Sequence, residues 1–251
     1  MTEDKNNKPI QSLWIGDEFS NIEKLSSSSY LKNNHKYDLY CYQDVKGVPE
    51  GVNIIDANQI IPESEIFTYK SGAGKGSFSA FSNMFRYKLI HDKGGYWSDT
   101  DVICLRGFDF NRDYVFGNEI ASIQNGKAYG KTTASSFFYC KPHSEIMKSC
   151  FDVCMSKDKD KVVWGEIGPK LLGEKVKEYN LTDNIEEHYV FNPIPWSQIE
   201  VLFNENINFE EITDNCHCLH LWNEVWRRHG VDKNAVFNQN CIFEKLKSLY
   251  L

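Results

Sequence analysis

The sequence predicts an α/β protein with a mostly parallel central sheet flanked by helices. Three observations carry this. The first third alternates short apolar runs with a helix-compatible stretch at close spacing, the rhythm of strand–helix–strand units joined by right-handed crossovers. A helical pattern over 79–93 ends on Gly94-Gly95 and leads directly into a β-prone segment over 96–105. The chain has 251 residues, 41% of them hydrophobic, which suffices for one large α/β core or at most two small ones. A polar tail over 1–8 is expected to be disordered, with a single domain over 9–251.

Taken in order, residues 9–16 read as a short strand running into Gly16, and the charged Asp17-Glu18 place Trp14 at its end. Open α/β sheets bind their ligands at such strand ends. Residues 21–34 fit a helix, and 37–42 and 52–56 two further strands. The glycine-rich stretch 70–77 fails the phosphate-loop pattern because Lys75 is followed by Gly76 rather than Ser or Thr. It reads as a mobile loop leading into the next helix, of the kind that orders over a substrate. In that helix Phe81, Met84, Phe85 and Leu89 recur at inward-facing spacing, while Ser79, Asn83 and Arg86 share another face. Ser77 or Ser79 can cap its start, and Gly94-Gly95 supplies the positive φ that ends it.

Residues 115–121 and 135–140 are strand candidates, with a hairpin-like turn at Asn125-Gly126 between them. A helix follows over 143–155, then a solvated charge run over 156–161. Pro169 suits a first helical position before the helix over 171–179. Residues 189–196 read as extended and proline-stiffened, and 236–251 as a closing helix. No internal repeat is visible.

The chemistry concentrates at Asp99 and Asp101. In an extended chain residues two apart point the same way, so both carboxylates face one spot at the sheet edge. Two like charges that close repel unless a cation or proton lies between them, and a hard divalent ion such as Mg²⁺ or Mn²⁺ is suited to the place. Asp-x-Asp is also a common solvated strand end. An Asn/Arg-bearing helix, a double glycine and an aromatic pair directly before the acids are not features of a solvated end. Cys216-His-Cys-Leu-His220 has the residue types of a zinc site but not the Cys-x-x-Cys turn that wraps the ion.

Composition narrows the partners. A net charge of −7 argues against a nucleic-acid footprint and gives no broad attraction to an anionic membrane. No apolar run approaches the ~20 residues of a membrane span, and the first residues have no signal-peptide core. The expectation is a cytoplasmic protein that keeps its eight cysteines as free thiols, with peripheral contact at the inner face of the membrane as an option.

Ser82-Asn-Met-Phe-Arg86-Tyr, then Gly94-Gly95-Tyr-Trp-Ser-Asp99-Thr-Asp101-Val, resembles the signature of the DXD-containing sugar transferases of glycosyltransferase family 32, relatives in fold of the glucosylating clostridial toxins. The family pattern runs Ser-Asp-x-x-Arg-Tyr, a spacer, then Gly-Gly-x-Tyr-x-Asp-x-Asp. Asn83 replaces the usual Asp and Trp97 the usual Tyr; both can still hydrogen-bond a sugar hydroxyl, but Asn83 brings no charge. The resemblance spans 10–228 and is strongest over 79–105.

It implies a GT-A type nucleotide-diphospho-sugar transferase fold and a metal-dependent, retaining enzyme using Mn²⁺ or Mg²⁺. Asp101, with His220, would hold the metal; Asp99, Arg86 and Asn83 would contact the donor sugar, with Ser135 nearby. Trp14, with Ile15 beside it at the strand end, would stack on the base, and Trp222 would wall the donor site. The implied donor is a nucleotide-sugar, UDP-linked by preference. The implied acceptor is a saccharide or glycolipid of a bacterial surface polysaccharide or lipopolysaccharide. Three alternatives stand beside it: a protein-glycosylating effector of the same fold, a non-catalytic sugar-nucleotide-binding module, and a haloacid-dehalogenase-type phosphatase.

Overall fold

The computed structural model describes residues 8–108 and 110–251. The expected N-terminal tail therefore lies, save for Lys8, outside the described residues. In chain order the elements are β1 (Ile10–Trp14), α1 (Asn21–Lys32), β2 (Tyr37–Cys41), β3 (Asn53–Asp56), α2 (Ser79–Lys93), β4 (Gly95–Ser98), β5 (Val102–Cys104), β6 (Tyr114–Glu119), β7 (Ser122–Gln124), β8 (Lys127–Tyr129) and β9 (Thr132–Cys140). Then follow α3 (Glu145–Ser156), α4 (Leu171–Glu178), β10 (Ile185–Glu186), α5 (His188–Phe191), α6 (Phe209–Thr213), β11 (Cys218–His220), α7 (Asn223–His229) and α8 (Ile242–Tyr250).

The main sheet has the order β10-β6-β9-β4-β1-β2-β3. The pairs β1–β2, β2–β3, β1–β4 and β10–β6 are parallel, and β9 runs antiparallel to both its neighbours. This is the mostly parallel α/β sheet the sequence predicts. Alternate strand residues enter opposite cores, as the two-residue period of a strand requires. Leu13, Tyr40, Trp97, Phe116 and Phe138 pack with α2, α3 and α4 on one face. Ile10, Leu39, Tyr96, Val115 and Phe137 pack on the other. A third apolar cluster joins α1, β11, α7 and α8 through Ile22, Leu219, Trp226 and Phe243. Each such side chain, fully buried, contributes roughly 1.5–3 kcal/mol.

Local sequence sets the element ends. Ser20 and Glu23 make a reciprocal capping box at the start of α1. Gly94 and Gly95, at φ 63° and 100°, end α2 and turn the chain into β4, where a Cβ on Gly94 would meet Pro142 backbone at 2.4 Å. Asn125 and Gly126 both have positive φ and close the β7–β8 hairpin as expected.

The segment read as one strand over 96–105 is two. β4 belongs to the main sheet, β5 pairs with β11 in a separate two-stranded sheet, and Asp99-Thr100-Asp101 turns between them. Asp favours the first position of such a turn, and Val102 N donates to Asp99 O at 3.2 Å to close it. Smaller differences follow the same kind of local chemistry. The start of α2 has no side-chain cap, although Ser77 Oγ accepts a 3.3 Å bond from Ser79 N. The helix read from His143 begins at Glu145, because His143 itself sits at φ 57°. Residues 189–191, read as extended, form the end of α5. Among the described residues no helix is long and apolar enough to cross a membrane.

Candidate active site

The site lies where β1 and β4 release the chain at their carboxyl ends. Helix α2 presents Ser79, Ser82, Asn83 and Arg86 along one side of it, the face opposite its buried Phe81, Phe85 and Leu89. Arg86 is the organising residue of this half. Its guanidinium pairs with Asp99 Oδ1 at 2.9 Å, donates to Ser135 O and to Ser82 Oγ (3.0 Å), and lies 4.8 Å over the Trp97 ring. Trp97 Nε1 donates to the same Asp99 oxygen at 2.9 Å. Trp97 is buried, so its N–H serves Asp99 and is not free for a sugar hydroxyl. Asn83 accepts from Ser135 Oγ at 3.4 Å, and Gly168 approaches so closely that a Cβ there would stand 2.8 Å from Asn83 Nδ2.

The other half comes from β11 and α7. His220 Nε2 stands 3.3 Å from Asp101 Oδ2, and Asn223 N donates to that same oxygen at 2.8 Å. Both reach it because Trp222, between them, takes a left-handed conformation at φ 58°. For a bulky residue this costs on the order of 1–3 kcal/mol, and it persists only where the surroundings enforce it. Here Trp222 Nε1 donates to Ile194 O at 2.9 Å and the indole packs on the His220 ring at 3.8 Å between centroids.

The two acids thus meet at a turn rather than through strand alternation. One ligand atom each from Asp99, Asp101 and His220 fall within 4.8 Å of one another. Their electrostatics diverge. Burial raises Asp99, and the charge of Asp101 adds to this against the opposing Arg86. Burial also works against ionised Asp101, but His220 and the Asn223 N–H outweigh it and hold the carboxyl below its usual range. His220 responds in kind: burial lowers it, and Asp101 more than restores it, so its net direction is upward.

This donor set fits a divalent cation. Two carboxylates and an imidazole are ordinary ligands for Mn²⁺, and Mg²⁺ accepts the oxygens. A 3.3 Å N···O separation is near the ~3 Å between adjacent ligands of an octahedral ion at about 2.1 Å. Asn223 Oδ1 and His220 Nδ1 are buried there without a hydrogen-bond partner. Cys216 and Cys218 take no part: among the described residues the cluster holds only Asp99, Asp101 and His220, and Cys218 turns toward Tyr30 in the core.

The three groups line a cavity of about 630 Å³, within the range of small-ligand sites. The nine residues singled out from sequence all reach it: Trp14, Ile15, Asn83, Arg86, Asp99, Asp101, Ser135, His220 and Trp222. Known families match on both halves of it. A glycosyltransferase sugar-binding region containing the DXD motif matches residues 19–122 and so takes in Asp99 and Asp101. An alpha 1,4-glycosyltransferase conserved region matches residues 139–250 and takes in His220 and Trp222. With a glycosyltransferase family matching each half, the chain is a glycosyltransferase.

The transferase resembles several solved structures at low identity. PaToxG glycosyltransferase is 14% identical, with 97% of this chain and 86% of that one covered at a TM-score of 0.46. The WbbM bifunctional glycosyltransferase is 9% identical (99% and 52% covered, TM-score 0.45). Apo GlyE of Streptococcus pneumoniae TIGR4 is 13% identical (97% and 64% covered, TM-score 0.43). The chain therefore spans about half the length of the WbbM structure and under two thirds of GlyE. No curated protein matches it in sequence. The phosphatase alternative drops out with the family match.

Three residues of the transferase's cavity escape sequence reading. Lys233 Nζ lies 5.6 Å over the Trp14 ring and pairs with Glu23 at 2.7 Å. Asn223, read only as part of a terminal stretch, supplies the N–H on Asp101. Glu119, the last residue of β6, is buried against the cavity; burial, with Asp99 adding to it, pushes its carboxyl up to about 7. The signal for Glu119 was an acid closing an apolar strand, but nothing local says that this strand end meets the motif.

Proposed function

We propose that residues 9–251 form one GT-A domain that moves a sugar, with retention, from a nucleotide-sugar to a saccharide acceptor, using Mn²⁺ or Mg²⁺. A UDP-linked donor is favoured by the family resemblance. The observation that carries the reading is the convergence of Asp99, Asp101 and His220 within 4.8 Å on a cavity that Trp14 and Arg86 also line.

In this reading Trp14 stacks on the base beside Ile15, and Lys233, over the Trp14 ring, meets a phosphate. Asp101, His220 and one oxygen of Asp99 hold the metal, which when bound neutralises charge on the departing diphosphate as a Lewis acid. Asp99, fixed through Oδ1 by Arg86 and Trp97, turns Oδ2 to that metal, and the Arg86–Asp99 pair borders the ribose and donor-sugar hydroxyls. Asn83 and Ser135 complete the sugar pocket, and Trp222 holds His220 in place. Removing water from around these charges strengthens each contact to the donor. No protein nucleophile is assigned. A bacterial surface polysaccharide or lipopolysaccharide acceptor, met in the cytoplasm or at the inner face of the membrane, belongs to the same proposal.

A panel of UDP- and GDP-sugars assayed for Mn²⁺-dependent hydrolysis tests it, since transferases pass sugar slowly to water. At least one UDP-sugar is expected to release UDP, with activity lost in excess EDTA and the first-formed sugar keeping the donor's anomeric configuration by NMR. Full activity in EDTA would contradict the metal role.

A further inference from the structure

Two features of the cavity play no part in the donor chemistry. Glu119 is only 9% exposed, lines the cavity, and makes no side-chain hydrogen bond or ion pair to any described residue. Its carboxyl therefore keeps its acceptor capacity for a ligand's donor in the cavity. Trp196 is 42% exposed on the same cavity, and among the described residues no ring or cation covers its indole. Trp164, 41% exposed, differs: Tyr69 lies 5.4 Å away and Arg228 covers its face at 5.4 Å.

Glu119 and Trp196 are held in fixed relation. Asn192 Nδ2 donates to Asn118 O at 3.0 Å, and Ser197 donates to Ala121 O through its hydroxyl (2.6 Å) and its N–H (3.3 Å). Gln198 then exchanges bonds with the backbone of Ile123. The segment 192–198 is thereby stitched along 118–123, and the acid and the indole each stand within two residues of the seam. Beyond Trp196 lies a second cavity of about 590 Å³, which shares Trp196, Val225 and Arg228 with the first and adds Glu200 and Phe203.

We propose that Glu119 and Trp196 form the acceptor subsite, taking a saccharide of at least two units whose reactive end lies against Glu119 and whose second unit extends past Trp196 into the adjoining cavity. The proposal rests on the donor reading above and names its acceptor class. A pyranose offers an apolar C–H face for an indole and hydroxyl donors for a carboxylate, the two chemistries that stand here unpartnered. The hydroxyl that receives the sugar donates its hydrogen bond to Glu119, which orients it toward the donor pocket between Arg86 and Asp99.

The test is binding of lactose, maltose, cellobiose and chitobiose to the full chain with Mn²⁺ and UDP, by saturation-transfer NMR and calorimetry. UDP affinity is measured separately in each variant. At least one disaccharide is expected to bind, at least tenfold more weakly in Trp196→Ala and about fivefold more weakly in Glu119→Ala, while UDP affinity holds within twofold. Disaccharide affinity unchanged in Trp196→Ala, or UDP binding with no disaccharide binding, overturns the subsite. Disaccharide binding that depends on Trp196 without any UDP binding upholds it and removes the donor reading instead.

Discussion

Asp99 and Asp101 are two residues apart, yet one is built by its neighbours in sequence and the other by the far end of the chain. Asp99 follows the last strand residue of β4 and is held by Trp97 and by Arg86 from the helix just before it. Asp101 is held by His220 and by the N–H of Asn223, 122 positions away. Burial dominates at Asp99 and raises it; at Asp101 partners overcome burial and lower it. The sheet half positions a carboxylate already engaged by a cation, whereas the β11–α7 half keeps an ionised one ready for a metal.

The sharpest way to break this comparison is to remove the distant arm. His220→Ala is expected to cut transfer at least ~10³-fold, the several kcal/mol that charge stabilisation of a leaving group supplies. Circular dichroism should show a folded chain, since Trp222 retains its bond to Ile194. Comparable turnover in this variant would mean that the C-terminal half is packing only.

Arg86→Ala attacks the other half, with a different symptom. It leaves Asp99, half-buried at the cavity, without its cation, a loss that falls short of the about 3–5 kcal/mol of a fully buried pair. The measurement is chemical denaturation, in which the midpoint should fall substantially with the slope unchanged. A stability loss confined to a few tenths of a kcal/mol would show that the ion pair is solvent-screened and structurally idle.

The smallest effect sharpens the comparison through pH. Glu119 keeps its proton up to about 7 in the folded chain, against 4.5 ordinarily, so between these values the native state binds more protons than the unfolded one. Its contribution to stability therefore falls as pH rises through that window. Glu119→Gln should be the more stable protein above pH 8, by up to about 3 kcal/mol, and the difference should vanish near pH 4. Thermal melts of both proteins at the two pH values check the sign; a gap that widens toward acid would refute it.

Much of this was legible because the sheet half is local. Helix spacing put Asn83 and Arg86 on one face, and Gly94-Gly95 fixed where the helix stops and β4 starts. The turn at Asp99-Thr100-Asp101 was not, since β-prone residues lie on both sides of it and only the pairing of β5 with β11 shows that the strand has changed sheets. His220 and Trp222 were found through resemblance, and the left-handed Trp222 that aims them leaves no trace in residue type. Lys233 and Glu119 were missed for the same physical reason: each is placed by a long-range contact, and a lone Lys or Glu in sequence is most often solvated.

The central claim is that both halves close on one divalent ion. Electron paramagnetic resonance titration of Mn²⁺ in the presence of UDP tests it directly, comparing the wild-type chain with Asp101→Asn. One tightly held ion per wild-type chain, weakened at least a hundredfold in the variant, is the expected result. Equal Mn²⁺ binding by the two proteins, or none by the wild type, would contradict the account.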